Sequence, residues 1–524
     1  MAFTFQINDD VQFNHDEKLL AKAEQLTPRL IKNRIQPVSI VKLIDDASKL
    51  DGVGVETISS IDQLSSIKLG RDESVILDCG DHHVGFFNVQ LEHNGSPQDS
   101  PLTLKIKFAE VPSELKQDSA DYDGWLSKSW IQEELVHIDE LPYKLYLPRR
   151  YAFRYIELKV VDTSPKWKVS FTDPEVVTVT SADGSKVNQG DFKDTELNQI
   201  YDASLKTLKD CMQSVFEDGP KRDRRLWLGD LRLQAKANYV TFNNADLVKR
   251  CLYLFGGMTT TDGRVAANVF TSPHNIPDDT FLFDYSLFFI STLFDYYQQT
   301  QDQEALDDLL PVAKAQMDVS IQSVDDQGAY HFDESYPVFI DWSNEFDKET
   351  AGQAVIIYTL KQLIKLLEIT RVDTNVYQEK LAQMTTYATE QLFDSQLGLF
   401  ISGPNKDVNI ASQVWMVIAG VIDKRSAKNL MNNTIQKLFP VRGIATPYMY
   451  HHIVEALFIV DLKDDAINLM KEYWGKMIKL GADTFWEAFE PENVNYSPYG
   501  SSIISSYCHA WSCTPAYLIN KYLK

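Results

Sequence analysis

The segment EDGPKRDRRLWLGD at 217–230 concentrates charged side chains within a short loop. Gly219-Pro220 opposes a helix at its start, and Trp227 lies among the charges. So many charges in one loop must be solvated, paired with one another or lining a polar cleft. The sequence therefore leaves two interpretations open, an ordinary solvated loop and a polar site. The charged residues are Glu217, Asp218, Lys221, Arg222, Asp223, Arg224, Arg225 and Asp230.

Three further segments place an acid or a histidine beside aromatic rings. They are GADTFWEAFEP with Trp486 and Glu487, VFIDWSNEFD with Asp341 and Trp342, and YCHAWSCTPAYLI with His509. An exposed glutamate beside core aromatics and a structural histidine are the alternatives to a site. Two carboxylates from different loops suit cleavage of a glycosidic bond, because one protonates the leaving oxygen while the other activates water or attacks directly. No GxSxG, P-loop, GxGxxG or HExxH sequence is present, which removes the commonest hydrolase, nucleotide and zinc-protease interpretations.

The charge balance and the cysteines narrow the class of protein. The 524 residues include 51 Lys+Arg and 74 Asp+Glu, a formal net charge of −23, which argues against a nucleic-acid partner and against binding to anionic membranes. No secretory signal and no transmembrane run is visible, and five scattered cysteines do not form a disulfide framework, so we expect a cytoplasmic protein. Neither Cys508, His509 and Cys513 nor Cys79, His82 and His83 has paired metal-ligand spacing. We therefore predict no metal and no cofactor.

The hydrophobic pattern changes near residue 185. Before it, short alternating runs at 74–80, 84–91, 102–111, 151–161 and 166–173 predict strands, and hence a β-sandwich domain over 1–187. After about residue 190 the period becomes helical, with Asp194 or Thr195 available as the first N-cap. About twelve paired helical segments follow, the last at 508–523, and they predict an (α/α)6 barrel over 188–524. An irregular helical bundle is the alternative.

The sequence resembles glycoside hydrolase family 78, the bacterial α-L-rhamnosidases. The segments that carry the resemblance occur in the family's order: LDCGDHHVGFFNVQL with LKIKFAEV, PRRYAFRYIELKV, DFKDTELNQIYDASLKTLKDCM, DGPKRDRRLWLGD, FIDW and GADTFWEAF. The resemblance implies an (α/α)6 barrel and inverting hydrolysis of a glycoside. It implies that Glu487 is the general base that activates water.

The resemblance also implies roles for other residues, with one departure. The family's general acid is normally a glutamate of the 217–230 loop, but this loop offers none inside the motif, and we assign the acid to Asp223. Because aspartate is one methylene shorter, the backbone must move inward, the substrate must differ, or activity must be low. Positions that match the family's sugar contacts are Asp218, Arg222, Trp227 and Asp230, followed with weaker matches by Asp341, Trp342, Trp486, His509 and Asp284.

The chain ends just after its last predicted helix, where the family usually continues into a further β-domain. We therefore expect a small glycoside of rhamnose or of a similar deoxy-sugar as the substrate, and no long polymer. Two alternatives stay open: a catalytically weak or inactive sugar-binding relative, and another (α/α)6-barrel glycosidase or a lyase. The oligomeric state is also open, with a homodimer as one possibility.

Overall fold

The N-terminal part of the protein is an antiparallel β-domain. The computed structural model describes residues 6–187 and 190–524, so the predicted boundary at 187/188 adjoins two residues outside the described part. Nine strands form one sheet with the path β1-β9-β4-β8-β5-β6, while β2, β3 and β7 pair beside it. The strands are β1 Ile31–Ile35, β2 Ser39–Asp45, β3 Val53–Ser60, β4 Ser74–Gly95, β5 Leu102–Ala109, β6 Glu133–Ile138, β7 Tyr143–Tyr146, β8 Tyr151–Asp162 and β9 Trp167–Thr180.

The predicted strands at 74–80 and 84–91 form a single element, β4. The register of β4 against β8 shifts between Asp78 and His83, and Gly80 has a φ of +80°. A bulge that contains a glycine bends a strand without ending it, which explains why two alternating runs belong to one strand. The alternation in β5 is as predicted, because Leu102, Leu104 and Ile106 are buried in the core of the β-domain.

The remainder of the described chain is a closed double ring of helices. Among the described residues, α4, α6, α8, α10, α12 and α14 pack in succession and α14 returns to α4, while the other helices of each hairpin lie outside. Two helices precede the ring in the chain, α1 Glu17–Gln25 and α2 Pro112–Lys116. The helices of the ring are α3 Thr195–Cys211, α4 Leu228–Tyr239, α5 Ala245–Gly256, α6 Phe283–Thr300, α7 Gln303–Ser320, α8 Glu349–Ile369, α9 Asn375–Tyr387, α10 Ile410–Ile418, α11 Lys424–Leu438, α12 Pro447–Ile459, α13 Lys463–Lys479 and α14 Pro515–Tyr522. The predicted β-domain followed by a six-hairpin barrel is therefore confirmed.

Sequence and burial explain the two rings. In α4 and α12 nearly every side chain is buried, as expected for helices with neighbours on all sides, whereas the outer α9 buries only Tyr377 and Met384. The first barrel helix, α3, starts at the predicted N-cap, since the Asp194 carboxylate accepts from the amides of Glu196 and Leu197. None of the described helices has the length and apolar character needed to cross a membrane.

The last helix begins later than predicted. Pro515 starts α14, and the preceding residues form a 3-10 turn, Ala510–Ser512, which follows the extended residue His509. The predicted start at 508 is wrong. Residues 508–514 are buried against the barrel as a loop, and their apolar character does not come from one face of a helix. This loop lies at the end of the ring together with a small sheet of three short strands, β10 Leu226–Trp227, β11 Asn268–Phe270 and β12 Ile276–Pro277. A separate pair of short strands is formed by β13 Phe393–Asp394 and β14 Leu399–Phe400.

Candidate active site

A cavity of about 230 Å³ opens where the ring meets the β-domain. This volume is below the ~300–1,000 Å³ typical of pockets for drug-sized ligands, so the cavity suits a small molecule. The loop 217–230 forms one wall, and residues 485–511 form another. The lining residues are Trp125, Leu126, Ser127, Trp130, Asp218, Arg222, Asp223, Arg225, Trp227, Asp230, Tyr285, Phe339, Trp342, Glu487, Tyr499, His509 and Trp511.

Asp218 shapes the charged loop around itself. Its two carboxylate oxygens accept from the backbone amides of Asp223, at 3.1 Å, and Arg225, at 3.0 Å. The loop is thereby folded tightly enough that Arg224 adopts a positive φ of 63°. Burial, and then the charge of Asp223, raise the pKa of Asp218 to about 7, despite the two amides that favour its charged form. The solvated-loop interpretation does not apply, because 217–222 and 226–230 are buried.

Arg222 holds Glu487 in place. Its Nη2 donates to Glu487 Oε2 at 2.5 Å, its Nε donates to the Ile504 carbonyl at 2.7 Å, and the guanidinium stacks 4.0 Å from the ring centroid of Tyr499. The Tyr499 hydroxyl donates to the other oxygen of Glu487. Burial opposes the charge of Arg222, but the carboxylate of Glu487 leads the effects that keep its pKa above the ordinary value. Glu487 is thus a buried hydrogen-bond acceptor with two fixed donors.

Asp223 lies near the other terminal nitrogen of the same guanidinium. Its Oδ1 lies 3.7 Å from Arg222 Nη1, and its side chain is 19% exposed, whereas that of Glu487 is 5% exposed. Because both contacts involve one planar guanidinium, the nearest oxygens of Asp223 and Glu487 are at most about 8.5 Å apart, below the roughly 9.5 Å limit for two carboxylates that accommodate a water. The two acids therefore face one cavity from different loops.

Asp230 and His509 form a second polar pair in the cavity. His509 Nε2 lies 3.2 Å from Asp230 Oδ1. Burial works to lower the pKa of His509, but the charges of Glu487 and Asp230 outweigh it and leave that pKa above its ordinary value. Burial raises the pKa of Asp230 against the effect of His509. The pair offers both donors and acceptors to a polyhydroxylated ligand.

Aromatic rings form the remaining walls. Phe339 stacks on Trp511 with centroids 5.7 Å apart, and Trp342 meets the edge of Tyr499 at 5.7 Å. Trp227 packs at right angles to Tyr285. The β-domain supplies Trp125 and its neighbours, and the indole of Trp125 donates to the Pro498 carbonyl at 3.4 Å. The site is therefore built by both domains.

Three residues predicted to contact the ligand lie beneath the cavity. Asp284 is fully buried and accepts from the amides of Phe339 and Ile340. Asp341 is fully buried and accepts from the amides of Ser343 and Ala445 and from the Thr446 hydroxyl. Trp486 is 2% exposed and packs against Phe489 and Tyr507. Each of the three stabilises a loop beside the cavity, and the residue that follows it in the chain lines the cavity.

The other predicted residues line the cavity: Asp218, Arg222, Asp223, Trp227, Asp230, Trp342, Glu487 and His509. Sequence reasoning missed Tyr499, Arg225, Tyr285 and the segment 125–130. Tyr499 lies in NVNYSPYGSS, where no periodicity marks an element, and the β-domain segment is separated from the barrel loops by about a hundred residues of chain. Only the rarity of Trp125 and Trp130 in a polar stretch was a usable signal.

One group outside the cavity has the spacing of metal ligands. His82, Asp210 and Cys508 offer atoms within 4.8 Å of one another. However, His82 Nδ1 lies 2.7 Å from Asp210 and its Nε2 lies 3.1 Å from Glu110, so both ring nitrogens already have carboxylate partners. Burial would lower the pKa of His82, and Asp210 and Glu110 help to raise it well above its ordinary value. We interpret the group as a buried ion cluster between the two domains.

Two acids on separate loops, at one end of a ring of helical hairpins, are the arrangement that cleavage of a glycosidic bond uses. The comparisons with known proteins agree. The model of the glycosyl hydrolase family 78 α-rhamnosidase N-terminal domain matches residues 37–178. The model of the bacterial α-L-rhamnosidase six-hairpin glycosidase domain matches residues 190–523. The chain belongs to glycoside hydrolase family 78.

Solved structures extend this comparison. A rhamnosidase from Klebsiella oxytoca, solved with rhamnose bound, is 43% identical, with 98% of this chain and 100% of that chain covered and a TM-score of 0.95. A family 78 rhamnosidase of Bacillus sp. GL1 shares the fold at 19% identity, with 89% of this chain and 49% of that chain covered and a TM-score of 0.72. The α-L-rhamnosidase of Streptomyces avermitilis does so at 16% identity, with 94% and 44% covered and a TM-score of 0.67. No curated protein sequence matches the chain.

Proposed function

We propose that the protein hydrolyses terminal α-L-rhamnose, or a similar deoxy-sugar, from small glycosides with inversion at the anomeric carbon. The observation that carries this proposal is the placement of Asp223 and Glu487 on either side of Arg222 in one cavity. The 43% identical Klebsiella relative is described with rhamnose bound, which supports the choice of sugar. The size of the cavity supports a single ring with a small leaving group.

In this proposal Glu487 activates the water. An attacking water must lose a proton to a carboxylate, and Glu487 is oriented for this by donors at both oxygens, Arg222 and Tyr499. Arg222 also stays next to both acids throughout the reaction. It thereby limits how far either carboxylate can turn away from the bound sugar.

Asp223 protonates the leaving oxygen. The loop compensates for the short side chain, because the Asp218 carboxylate draws in the backbone amides of Asp223 and Arg225. Burial, and then the charge of Asp223, raise the pKa of Asp218 to about 7, so Asp218 can hold a proton near neutral pH beside the proposed acid.

The remaining cavity residues have binding roles in this proposal. Asp218, Asp230 and His509 bind hydroxyl groups, while Trp227 and Trp342 contact the sugar faces. Asp284, Asp341 and Trp486 act indirectly by holding the loops. Domain limits of 1–187 and 188–524, a homodimer and a cytoplasmic location stay predictions.

The test compares two leaving groups in two variants. Asp223→Asn is expected to lose more kcat/KM on an alkyl α-L-rhamnoside than on the 4-nitrophenyl compound, because nitrophenolate leaves with little protonation. Glu487→Gln is expected to lose roughly 1,000-fold or more on both, because water activation is needed for each. Proton NMR of the first product identifies the anomer.

Three outcomes would contradict the proposal. Wild-type turnover by Glu487→Gln would remove the base assignment. Binding of L-rhamnose by calorimetry without turnover in the wild type would identify a sugar-binding relative. A product that absorbs in the ultraviolet, from an unsaturated ring, would identify a lyase.

A further inference from the structure

Lys221 lies next to Arg222 in the charged loop, but its side chain points away from the cavity. It is 1% exposed, and its ammonium contacts Glu114 Oε1, the Ile503 carbonyl at 3.0 Å and the Ser505 carbonyl at 2.7 Å. An ammonium has three N–H donors, so these contacts use all of them. The side chain thereby joins the loop 217–230 to residues 503–505 and to the β-domain at one point.

The same stretch, 503–506, is hydrogen-bonded to Arg222 and to the proposed base, Glu487. Between the two carbonyls that Lys221 binds, the Ile504 carbonyl accepts from Arg222 Nε at 2.7 Å. The Ser506 carbonyl accepts from the backbone amide of Glu487 at 3.1 Å. A displacement of this stretch would therefore move Glu487 and Arg222 relative to the loop that carries Asp223.

Glu114 is itself held firmly. It lies in α2 of the β-domain and is 2% exposed, and its Oε2 accepts from the amides of Glu110 at 2.6 Å and Val111 at 3.0 Å. Glu110 also accepts from the amide of Tyr507 at 2.7 Å. The anchor for Lys221 is therefore a carboxylate whose position is set by the β-domain backbone.

We propose that Glu114 and Lys221 are positioning residues that set the distance between the two catalytic carboxylates. We call this ion pair, with its contacts to Ile503 and Ser505, the Glu114–Lys221 clamp. The proposal rests on the proposed function, because it takes Asp223 and Glu487 as acid and base. Through the clamp the β-domain determines the rate of a reaction in which neither clamp residue touches the sugar.

The test uses one single and one double variant. Glu114→Gln keeps the shape and one acceptor oxygen but leaves the ammonium of Lys221 without its counter-charge, so both stability and kcat are expected to fall. In Glu114→Gln/Lys221→Met no buried charge is left unpaired, so the thermal midpoint is expected to recover toward that of the wild type. Its kcat is expected to stay roughly 10- to 100-fold low, with KM within about threefold, because the carboxylates are no longer held at their spacing.

This recovery of stability without recovery of kcat separates positioning from a purely structural role. A double variant with both the stability and the kcat of the wild type would overturn the proposal. Calorimetry with L-rhamnose reports the fraction of folded sites in the double variant. A low kcat with full binding stoichiometry supports a positioning role. A loss of binding stoichiometry in proportion to the loss of kcat overturns the proposal.

Lys206→Met is the matched control. Lys206 of the barrel lies 3.3 Å from Asp81 of the β-domain and 3.3 Å from Asp210 of the barrel, so the change also removes an interdomain ion pair, but neither partner belongs to 217–230 or 503–506. Its kcat is expected to stay within about twofold of the wild type, and an equal loss there would overturn the clamp in favour of general loosening of the domains. A wild type that does not cleave aryl rhamnosides contradicts the proposed function, whereas an active wild type with an unaffected double variant contradicts the clamp alone.

Discussion

Arg222→Lys tests most directly how the site is held together. A lysine at this position keeps one positive charge, but it lacks the planar guanidinium that donates from Nε to the Ile504 carbonyl and from Nη2 to Glu487, and it cannot lie flat on the Tyr499 ring. We expect the variant to fold, because one ammonium still faces the two carboxylates. We expect it to be a poor enzyme.

The contacts give the size of the effect. A hydrogen bond to a charged group contributes about 1.5–3 kcal/mol, and a buried stacking contact between a cation and a ring adds ~1–2 kcal/mol. If the lysine recovers part of the contact with Glu487, the net loss is about 3 kcal/mol, which corresponds to roughly 150-fold in kcat/KM.

The assay is hydrolysis of 4-nitrophenyl α-L-rhamnoside, well below the thermal midpoint of each variant. Arg250→Lys is the control, because Arg250 is also buried and also donates to backbone carbonyls, those of Ser214 and Ala23, outside the cavity. It should lose stability but keep kcat/KM. A value for Arg222→Lys within threefold of the wild type, in a folded protein, would refute the idea that Arg222 sets the geometry of the two acids.

Three further predictions follow from the same geometry. Since burial and the charge of Asp223 raise the pKa of Asp218 to about 7, kcat/KM should fall as pH rises through neutrality. In the folded protein Asp218 keeps its proton up to about pH 7, whereas in the unfolded chain it loses that proton near pH 4, so its contribution to stability declines as pH rises from about 4 to 7. The thermal midpoints at pH 5 and pH 8 should therefore differ less in Asp218→Asn than in the wild type. Trp125→Ala should raise KM about 5- to 20-fold with little change in kcat, because its 46% exposed ring forms part of the rim of the cavity. Tyr146→Ala, at an exposed position outside the cavity, should leave both KM and kcat unchanged. Asp341→Asn should lower the free energy of unfolding, measured by urea titration, by about 1–3 kcal/mol. The carboxylate of Asp341 accepts from two backbone amides and a hydroxyl, and the side-chain amide of asparagine would place its own N–H group against one of these donors. Unchanged stability would contradict the supporting role of Asp341.

The helical part of the fold could be predicted closely because its signal is local. Inner helices such as α10 are mostly apolar, outer ones such as α11 are amphipathic, and side chains such as Asp194 cap a helix at its start. Several strands could not be predicted, because they have no local signal of this kind. The strand β1, IKNRI, is almost fully exposed and has no apolar alternation, and only pairing with β9 makes it a strand. Its conformation depends on a partner more than 140 residues away.

The candidate site divides in a similar way. The charged loop and Glu487 stand out in the sequence because their residue types are unusual for core segments and match a family motif. That Tyr499 contacts Glu487, and that Trp125 closes the cavity, depends on how separate segments pack. Acids such as Asp341 look the same in sequence as those of the cavity, and only the packing of the loops determines that Asp341 does not line it.

The sequence by itself thus determined the order of the two domains, the paired helices and the short segments that supply the acids, because periodicity, capping and motif spacing are properties of neighbouring residues. Only the tertiary structure decided which acids share the cavity, that Arg222 lies between Asp223 and Glu487, and that Glu114 of the β-domain holds Lys221 of the barrel. These contacts join residues 107 and 265 positions apart, and their energies depend on burial. Such distances and burial arise only when distant segments of the chain pack against each other.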